Sequence, residues 1–226
     1  PSPPASPSFR LPLSRPPLMG VFDLTHTIRP DMPVFPGTPA PVLQPAASLE
    51  TAGFRETSLT LTSHTGTHMD APAHLLPHGA TLDAYPVDRL IGRGFLLDCR
   101  GRAIEPPLLA EIPPEQARDA FLLLHTGWWK NWDSQAYFQD APYLPPTTAS
   151  AIVGLGFRGV GIDGPSVDPV SSASLPSHHI LLAAGLLILE NLTRLDQLSA
   201  ATFTLFALPL PFLHGDGAPA RVIAVQ

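Results

Sequence analysis

The sequence predicts a single domain of the α/β class, of the β-rich mixed α+β kind, and three observations lead to that prediction. The chain has 226 residues, 44% of them hydrophobic, and a chain of this size can bury roughly 70% of its unfolded surface in one core. Its apolar runs are at most five residues long and several are bounded by turn residues, as buried strands are. Helical segments are few and short, so strands dominate the predicted domain.

Residues 1–18 are predicted to be a disordered tail outside that domain. They include seven prolines and no acidic residue. Repeated proline cannot join a strand ladder or a helix interior, and it interrupts the apolar stretch that a signal peptide needs. We therefore expect the folded domain to occupy residues 19–226 and the tail to adopt polyproline or coil conformations.

The first predicted strands flank a proline- and glycine-rich loop at 30–37. Residues 21–27 are typical of a strand. Residues 57–64 alternate between leucine and hydroxyl side chains and end in His64, which predicts a half-buried strand with Leu59 on its buried face. Further strands are predicted at 95–99, 121–125, 159–163, 186–189, 202–208 and 221–225.

Short helices are predicted at 114–120, 147–154 and 177–184. The second has Thr147 or Thr148 available as an N-terminal cap, because a hydroxyl oxygen can accept from a free backbone N–H of the first turn. The third is expected to end at Gly185, since glycine adopts the left-handed conformation that closes many helices.

Charge and composition exclude several classes of protein. A net charge of −6 argues against nucleic acid, which requires a clustered basic face. The single cysteine excludes a disulfide framework and a thiolate zinc cluster, and it fits a reducing, cytoplasmic location. The apolar runs are too short to span a membrane. Any metal must therefore be held by imidazole and carboxylate.

One segment, residues 64–74, concentrates the side chains that bind metals: His64, His68, Asp70 and His74. Imidazole and carboxylate suit zinc, manganese or iron(II) at neutral pH. His64, His68 and Asp70 share the same parity, so in an extended chain their side chains point to one side. The alternative is a polar surface loop that happens to be rich in histidine. Metal ligation is favoured because the three side chains point to the same side and because an apolar strand precedes the segment.

This segment resembles the H-x-G-T-H-x-D-x-P-x-H signature of the metal-dependent cyclase family, which includes bacterial kynurenine formamidases and isatin hydrolases. The likeness extends along the chain, through DLTH at 23–26, FPGT at 35–38, GIDGPSVD at 161–168, SHHILL at 177–182, ILEN at 188–191, ALPL at 207–210 and APAR at 218–221. The chain is identified as a member of that family. The resemblance implies a compact kynurenine-formamidase-like fold, with a swivelling β/β/α arrangement, that forms homodimers or homotetramers.

The resemblance also implies a role for each residue of the motif. His64, His68 and Asp70 are expected to bind one divalent metal, zinc or manganese. His74 is expected to transfer protons. Asp70 can bridge to a second ion, so one or two ions per subunit are expected.

The second ion would be completed by His178 and Glu190, with His179 as the alternative histidine. A continuous helix would separate His178 from Glu190 by roughly 18 Å. The two can share a metal only if the chain turns back, and Gly185 is where we place the reversal. Glu190 follows four apolar residues, and a buried carboxylate needs a partner or a metal.

Two further groups of residues have open interpretations. The polar side chains Asp163, Ser166 and Asp168 either orient metal ligands through hydrogen bonds or serve as turn residues around Pro165. An aromatic patch is either a lid over a flat substrate or ordinary loop packing; it comprises Trp128, Trp129, Trp132, Tyr137 and Phe138.

The expected activity is hydrolysis of a small, non-peptide amide by metal-activated water, with His74 protonating the departing nitrogen. An aryl formamide such as N-formylkynurenine is the first candidate substrate, and an isatin-type lactam is the alternative. Phe35 stands where formamidases of the family usually have tryptophan, and it is expected to contact the substrate. A metal-binding protein without turnover is the alternative from another class, but it would not need the proton-transferring histidine.

Overall fold

The structure, a computed structural model, describes residues 20–226, so the predicted tail at 1–18 lies outside the described residues. Its strands are β1 (Val21–Asp23), β2 (Val42–Ala47), β3 (Glu56–Thr60), β4 (His68–Asp70), β5 (Ile91–Asp98), β6 (Phe121–His125), β7 (Gly159–Ile162), β8 (Leu187–Glu190), β9 (Thr202–Pro209) and β10 (Gly217–Val225). Its α-helices are α1 (Leu49–Ala52), α2 (Pro114–Ala117), α3 (Pro146–Leu155) and α4 (Pro176–Ala183). Within the described range, no helix has the length and apolarity needed to cross a bilayer.

Seven strands close into a barrel, in the order β10-β4-β8-β7-β6-β5-β9, because β9 pairs back onto β10. β1 adds to the outer edge of β10, and β2 pairs only with β3 as a separate ribbon. The strands β5 to β8 run parallel to one another, and the remaining barrel pairs are antiparallel. The predicted β-rich α/β class is therefore confirmed.

The barrel wall separates two hydrophobic cores. Inside the barrel, alternate residues of the strands pack together, such as Met69, Leu123 and Leu189. Outside it, the opposite faces of β6, β7 and β8 pack against α3 and α4. Since successive side chains of a strand point to opposite faces, the neighbours of Met69 and Leu189 project outward, toward the helical layer.

The prediction of a half-buried strand at 57–64 is wrong about the burial of the strand and about the residue at which it ends. β3 covers Glu56–Thr60, every residue of it is exposed, and Leu59 is 58% exposed. Alternation shows that a strand has two faces, but it does not show that either face is covered. His64 lies beyond the strand, in a turn where Gly66 has φ +65°. The chain is therefore not extended between His64 and His68, and the expected alternation of side chains holds only from His68 to Asp70.

The predicted helix ends are partly confirmed. Gly185 adopts φ +77° and follows α4, as expected. Neither Thr147 nor Thr148 caps α3, because Pro145 occupies the N-cap position. The Thr148 hydroxyl instead donates to the carbonyl oxygen of Ile104, at 2.8 Å. Buried hydroxyls favour such a bond because an unpaired one is costly.

Replacing Gly159 with alanine is expected to lower the free energy of unfolding by about 1–3 kcal/mol. A Cβ there would lie 2.7 Å from Phe121 and 2.9 Å from the backbone oxygen of Leu187, and backbone cannot move aside cheaply. The control is Gly154→Ala in α3, where nothing lies within 4 Å and alanine favours the helix by about 1 kcal/mol. Urea denaturation measures both variants, and equal stability changes of the same sign would contradict the packing argument.

Candidate metal centre and active site

Three elements bring the candidate ligands together on the outer face of the barrel. In β4 and β8, His68 lies directly opposite Glu190, and Asp70 lies two residues further along β4. The Nε2 atom of His68 is 3.2 Å from Asp70 Oδ1 and 3.5 Å from Glu190 Oε2. α4 supplies His178 from its first turn, with Nε2 3.2 Å from Glu190 Oε1. The reversal expected at Gly185 therefore brings His178 to Glu190.

His64 completes this cluster from the turn before β4. Its Nδ1 atom lies 2.8 Å from Asp70 Oδ1. His179, the alternative to His178, is exposed on α4 and belongs to none of the possible donor sets.

Two of the histidines are oriented by acceptors on their far side. His68 Nδ1 donates to the carbonyl oxygen of Gly66 at 2.8 Å, and His178 Nδ1 donates to Asp168 Oδ2 at 2.7 Å. Asp168 also accepts the backbone N–H groups of Ser177 and His178. Each ring therefore turns its Nε2 atom toward the central carboxylates, an arrangement common around protein metals.

The other two polar candidates of this region have different roles. Asp163 accepts the backbone N–H groups of Thr126 and Gly127 and contacts none of the cluster, so it holds a turn. Ser166 lines the cavity described below, and its hydroxyl accepts the N–H of Asp168 at 3.2 Å.

The cluster surrounds buried negative charge. Burial disfavours ionisation of Asp70, but the imidazoles of His68 and His178 outweigh it and hold the pKa of the Asp70 carboxyl well below its usual value. Burial likewise opposes protonation of His178, yet the hydrogen bond to Asp168 and the nearby carboxylates of Asp70 and Glu190 raise the pKa of its imidazole to about 12. Bonds to Asp70 and Asp216 raise the pKa of His64 to about 9, against the effect of burial. The buried carboxylates thus stabilise positive charge at this site.

The donor set fits a divalent metal. His64, His68 and Asp70 can each offer one ligand atom within 4.8 Å of the others, and so can Asp70, His178 and Glu190. The two sets share Asp70. Its Oδ2 atom is buried and has no hydrogen-bond partner, although buried carboxylate oxygens rarely stay unpaired. Imidazole nitrogen and carboxylate oxygen are ligands of zinc and manganese.

His74 stands beside these two sets without belonging to either. A short 3-10 turn at Pro72–His74 places its ring 4.0 Å from the ring of His64 and 6.2 Å from that of His178, centre to centre. Burial lowers the pKa of His74, although the carboxylate of Asp70 opposes this effect. The lowered pKa favours the neutral form of its imidazole, which can accept a proton.

A cavity of about 300 Å³ opens over the cluster and is mainly apolar. Phe35 lines it, and Phe138 meets Phe35 edge to face at a centroid distance of 6.1 Å. Pro33, Val34 and Leu175 complete the apolar wall. Phe35, which the sequence predicts to contact the substrate, lies in the wall of this cavity.

Of the five aromatic residues predicted as a possible lid, only Phe138 reaches the cavity. Trp128 donates its indole N–H to the carbonyl oxygen of Tyr137, at 2.8 Å. Trp132 stacks on His26, with ring centroids 4.0 Å apart. Most of the patch is therefore loop packing.

Acidification is expected to destabilise the fold through His26. Burial lowers the pKa of this imidazole to about 4, although the carboxylate of Asp133 opposes the shift. The unfolded imidazole has a pKa near 6.5. The neutral ring therefore contributes stability that is complete above pH 6.5 and is lost as the pH falls toward 4. The loss is about 1–3 kcal/mol, allowing for partial exposure.

Urea denaturation of the wild type and of His26→Phe, at pH 7 and pH 4.5, checks this expectation. Phenylalanine keeps a ring against Trp132 but cannot take up a proton. The variant is expected to lose less stability on acidification, and equal losses would show that His26 is not the group responsible.

Two residues of the site were not among the sequence-based candidates. Asp216, before β10, has Oδ2 2.9 Å from His64 Nε2, and His64, His74 and Asp216 form a third possible donor set. Asn191 donates its side-chain N–H to the carbonyl oxygen of Gly66 and accepts the hydroxyl of Tyr137. Asn191 follows Glu190 directly in the family-like segment, whereas Asp216 had only the flanking glycines as a signal.

Comparison with known proteins gives consistent results. Residues 22–169 match the Cyclase family, whose description is “putative cyclase”. The chain is 34% identical over 204 residues to the kynurenine formamidase of Geobacillus thermodenitrificans, covering 88% of this chain and 94% of that protein. Isatin hydrolase A from Labrenzia aggregata, solved with benzyl benzoate, superposes with a TM-score of 0.79 at 28% identity, covering 90% of this chain and 92% of the other. A predicted metal-dependent hydrolase from Bacillus stearothermophilus superposes with a TM-score of 0.75 at 28% identity, covering 90% and 97%.

Proposed function

The chain belongs to the Cyclase family, and from that premise we propose that it is a metal-dependent hydrolase of small, non-peptide amides. One observation carries the proposal: two possible metal-binding sets share Asp70, and His74 stands beside them at an apolar cavity. The kynurenine formamidase and isatin hydrolase relatives support the same reaction class. In this proposal residues 19–226 form the hydrolase domain.

Five side chains are proposed to hold the metal: His64, His68, Asp70, His178 and Glu190. A bound divalent cation would polarise a carbonyl group and lower the pKa of coordinated water. Asp168 and the carbonyl oxygen of Gly66 keep the ring nitrogens of His178 and His68 in the required orientation. The shared Asp70 allows one or two ions.

His74 is proposed as the residue that transfers protons. An amine leaves an amide readily only if its nitrogen gains a proton as the C–N bond breaks. His74 is the histidine of the motif that stands outside both sets sharing Asp70, and its lowered pKa favours a neutral ring that can accept a proton and pass it on. Its position beside the ring of His64 keeps it close to the proposed metal.

The apolar wall favours a substrate with an aromatic ring. Phe35 and Phe138 are proposed to contact that ring, since flat apolar groups pack well against aromatic side chains. Aryl formamides such as N-formyl-L-kynurenine are the first candidates, because of the kynurenine formamidase relatives at 32–34% identity. Isatin, a cyclic aryl amide, is the second candidate, because an isatin hydrolase shares the fold at 28% identity.

The test is hydrolysis of each compound by protein loaded separately with zinc and with manganese. Protein treated with a chelator provides the background. Turnover of N-formyl-L-kynurenine that returns with metal supports the formamidase assignment, and turnover of isatin alone supports the lactam assignment. Metal binding without hydrolysis of either compound, or of a panel of simple aryl amides, would contradict the proposed function and favour a metal-binding protein.

We also propose that the protein is a homodimer or homotetramer in the cytoplasm. The β2–β3 ribbon and the segment between its strands expose the apolar side chains of Val42, Leu49, Phe54 and Leu59, which are available for contact with another subunit. The single cysteine, Cys99, is buried and free, which fits a reducing compartment.

Replacing Leu59 and Phe54 with serine is expected to shift the protein toward the monomer. Sedimentation velocity measures the mass of the wild type and of the double variant. A monomeric wild type at micromolar concentration would contradict the proposed assembly.

A further inference from the structure

The backbone of Asp216 is held in place by hydrogen bonds and strand pairing. It directly precedes β10, and its carbonyl oxygen accepts the backbone N–H of Ala71 at 2.9 Å. The next residue, Gly217, is paired with Asp70 in the antiparallel ladder between β10 and β4. Asp216 is therefore held in register with the strand that carries the central carboxylate.

The side chain of Asp216 meets the ring of His64 on the face away from Asp70. Its Oδ2 atom lies 2.9 Å from His64 Nε2, and it also accepts the hydroxyl of Ser63 at 3.3 Å. The same oxygen is 3.7 Å from Nδ1 of His74, beyond hydrogen-bond distance. One carboxylate oxygen thus faces both histidines.

This contact repeats a pattern seen at the other two histidines. His68 gives its Nδ1 hydrogen to Gly66, and His178 gives its Nδ1 hydrogen to Asp168. In both rings the opposite nitrogen faces the shared carboxylates. For His64 the two nitrogens are exchanged: Nε2 faces the outer acceptor, and Nδ1 faces Asp70 at 2.8 Å.

We propose that Asp216 is a positioning residue, which keeps a hydrogen on Nε2 of His64 so that the lone pair of Nδ1 faces the metal side. This inference rests on the proposed function. A carboxylate can only accept, so its bond to Nε2 selects the tautomer. The lone pair of Nδ1 and the oxygen of Asp70 then face each other, which is stable only with a cation or a proton between them.

Gly217 supports the same arrangement by leaving room for the ring. A Cβ at this position would lie 2.5 Å from Cε1 of His64, a separation at which one of the two groups must move. The Asp216–Gly217 pair therefore sets both the orientation of His64 and the space that it occupies.

Removal of such an outer carboxylate typically weakens metal affinity or activity by about 10- to 100-fold. We expect Asp216→Ala to raise the dissociation constant for Zn²⁺ within that range. Asp216→Asn keeps an oxygen acceptor without the charge, so its loss should be smaller. At saturating Zn²⁺, kcat of Asp216→Ala should remain about tenfold lower, because the ring of His64 has lost the acceptor that holds its orientation.

The test uses the full chain after chelator treatment, with Zn²⁺ titrated in competition with a fluorescent chelator. Circular dichroism and the melting temperature of each variant establish that it is folded. The matched control is Asp98→Asn, because Asp98 is 52% exposed against 42% for Asp216, is held by Arg100, and contacts no residue of the cluster. Its Zn²⁺ affinity is expected to equal that of the wild type.

The outcomes separate this inference from the proposed function. Weaker Zn²⁺ binding in Asp216→Ala, with partial recovery in Asp216→Asn, supports the positioning role. Wild-type affinity and kcat in folded Asp216→Ala overturn it, and so does an equal loss in Asp98→Asn. If the wild type itself binds no Zn²⁺, the proposed metal centre fails, and this inference fails with it.

Discussion

Asp70→Ala is expected to lose its metal and to reduce hydrolysis by at least about 10³-fold. Asp70 belongs to two donor sets, one with His64 and His68 and the other with His178 and Glu190. Its Oδ1 atom lies 2.8 Å from His64 Nδ1 and 3.2 Å from His68 Nε2, and its Oδ2 atom lies 3.6 Å from His178 Nε2. No other side chain of the described chain reaches all three histidines, so none can replace it.

Elemental analysis after zinc loading and desalting measures the metal, and a continuous assay measures turnover. Asp163→Asn is the matched control, because Asp163 is also buried, at 0% exposure against 1% for Asp70, but it holds only the turn at 126–127. This control is expected to retain wild-type zinc content. Wild-type zinc content in Asp70→Ala would contradict the assignment of Asp70 as a ligand.

His74→Ala is expected to keep its metal and to lose turnover, by about 10²- to 10⁴-fold. The ring of His74 adjoins that of His64 but lies outside the sets that share Asp70. Its removal therefore takes away a proton donor and leaves the proposed ligands in place. The combination of full zinc content and low kcat distinguishes this variant from Asp70→Ala.

His179→Ala is the control for His74→Ala, since it also removes an imidazole, but from the exposed side of α4. It should behave as the wild type in both measurements. Loss of zinc from His74→Ala would instead make His74 a ligand, through the set that it forms with His64 and Asp216. Wild-type kcat in His74→Ala would exclude it as the proton-transfer residue.

The central barrel strands could largely be predicted from the sequence, because both of their faces are buried. Parallel strands covered on both faces become continuous apolar runs, and Phe121–His125 and Gly159–Ile162 are such runs. β3 was predictable as a strand but not as an exposed one, because burial depends on what packs against it. Closure of the barrel through β9 and β10 could not be predicted, because the residues of a strand do not indicate which other strand it pairs with.

The candidate site shows the same division between local and distant information. The approach of His178 to Glu190 could be predicted from one glycine, because the reversal at Gly185 is a local event. Asp216 could not be found in that way, because 152 residues of chain separate it from His64. Only the ladder between β4 and β10 brings it to the histidines.

The alternation along β4 also bears on how the substrate range of this protein could be altered. Met69 fills the interior of the barrel, while His68 and Asp70 on either side of it face the cavity. The apolar walls of that cavity, such as Phe35, Phe138 and Leu175, come from segments outside the barrel strands. Effects of changes at distant, independent sites tend to add. Libraries that vary these walls can therefore explore new amides in directed evolution without repacking the interior on which folding depends.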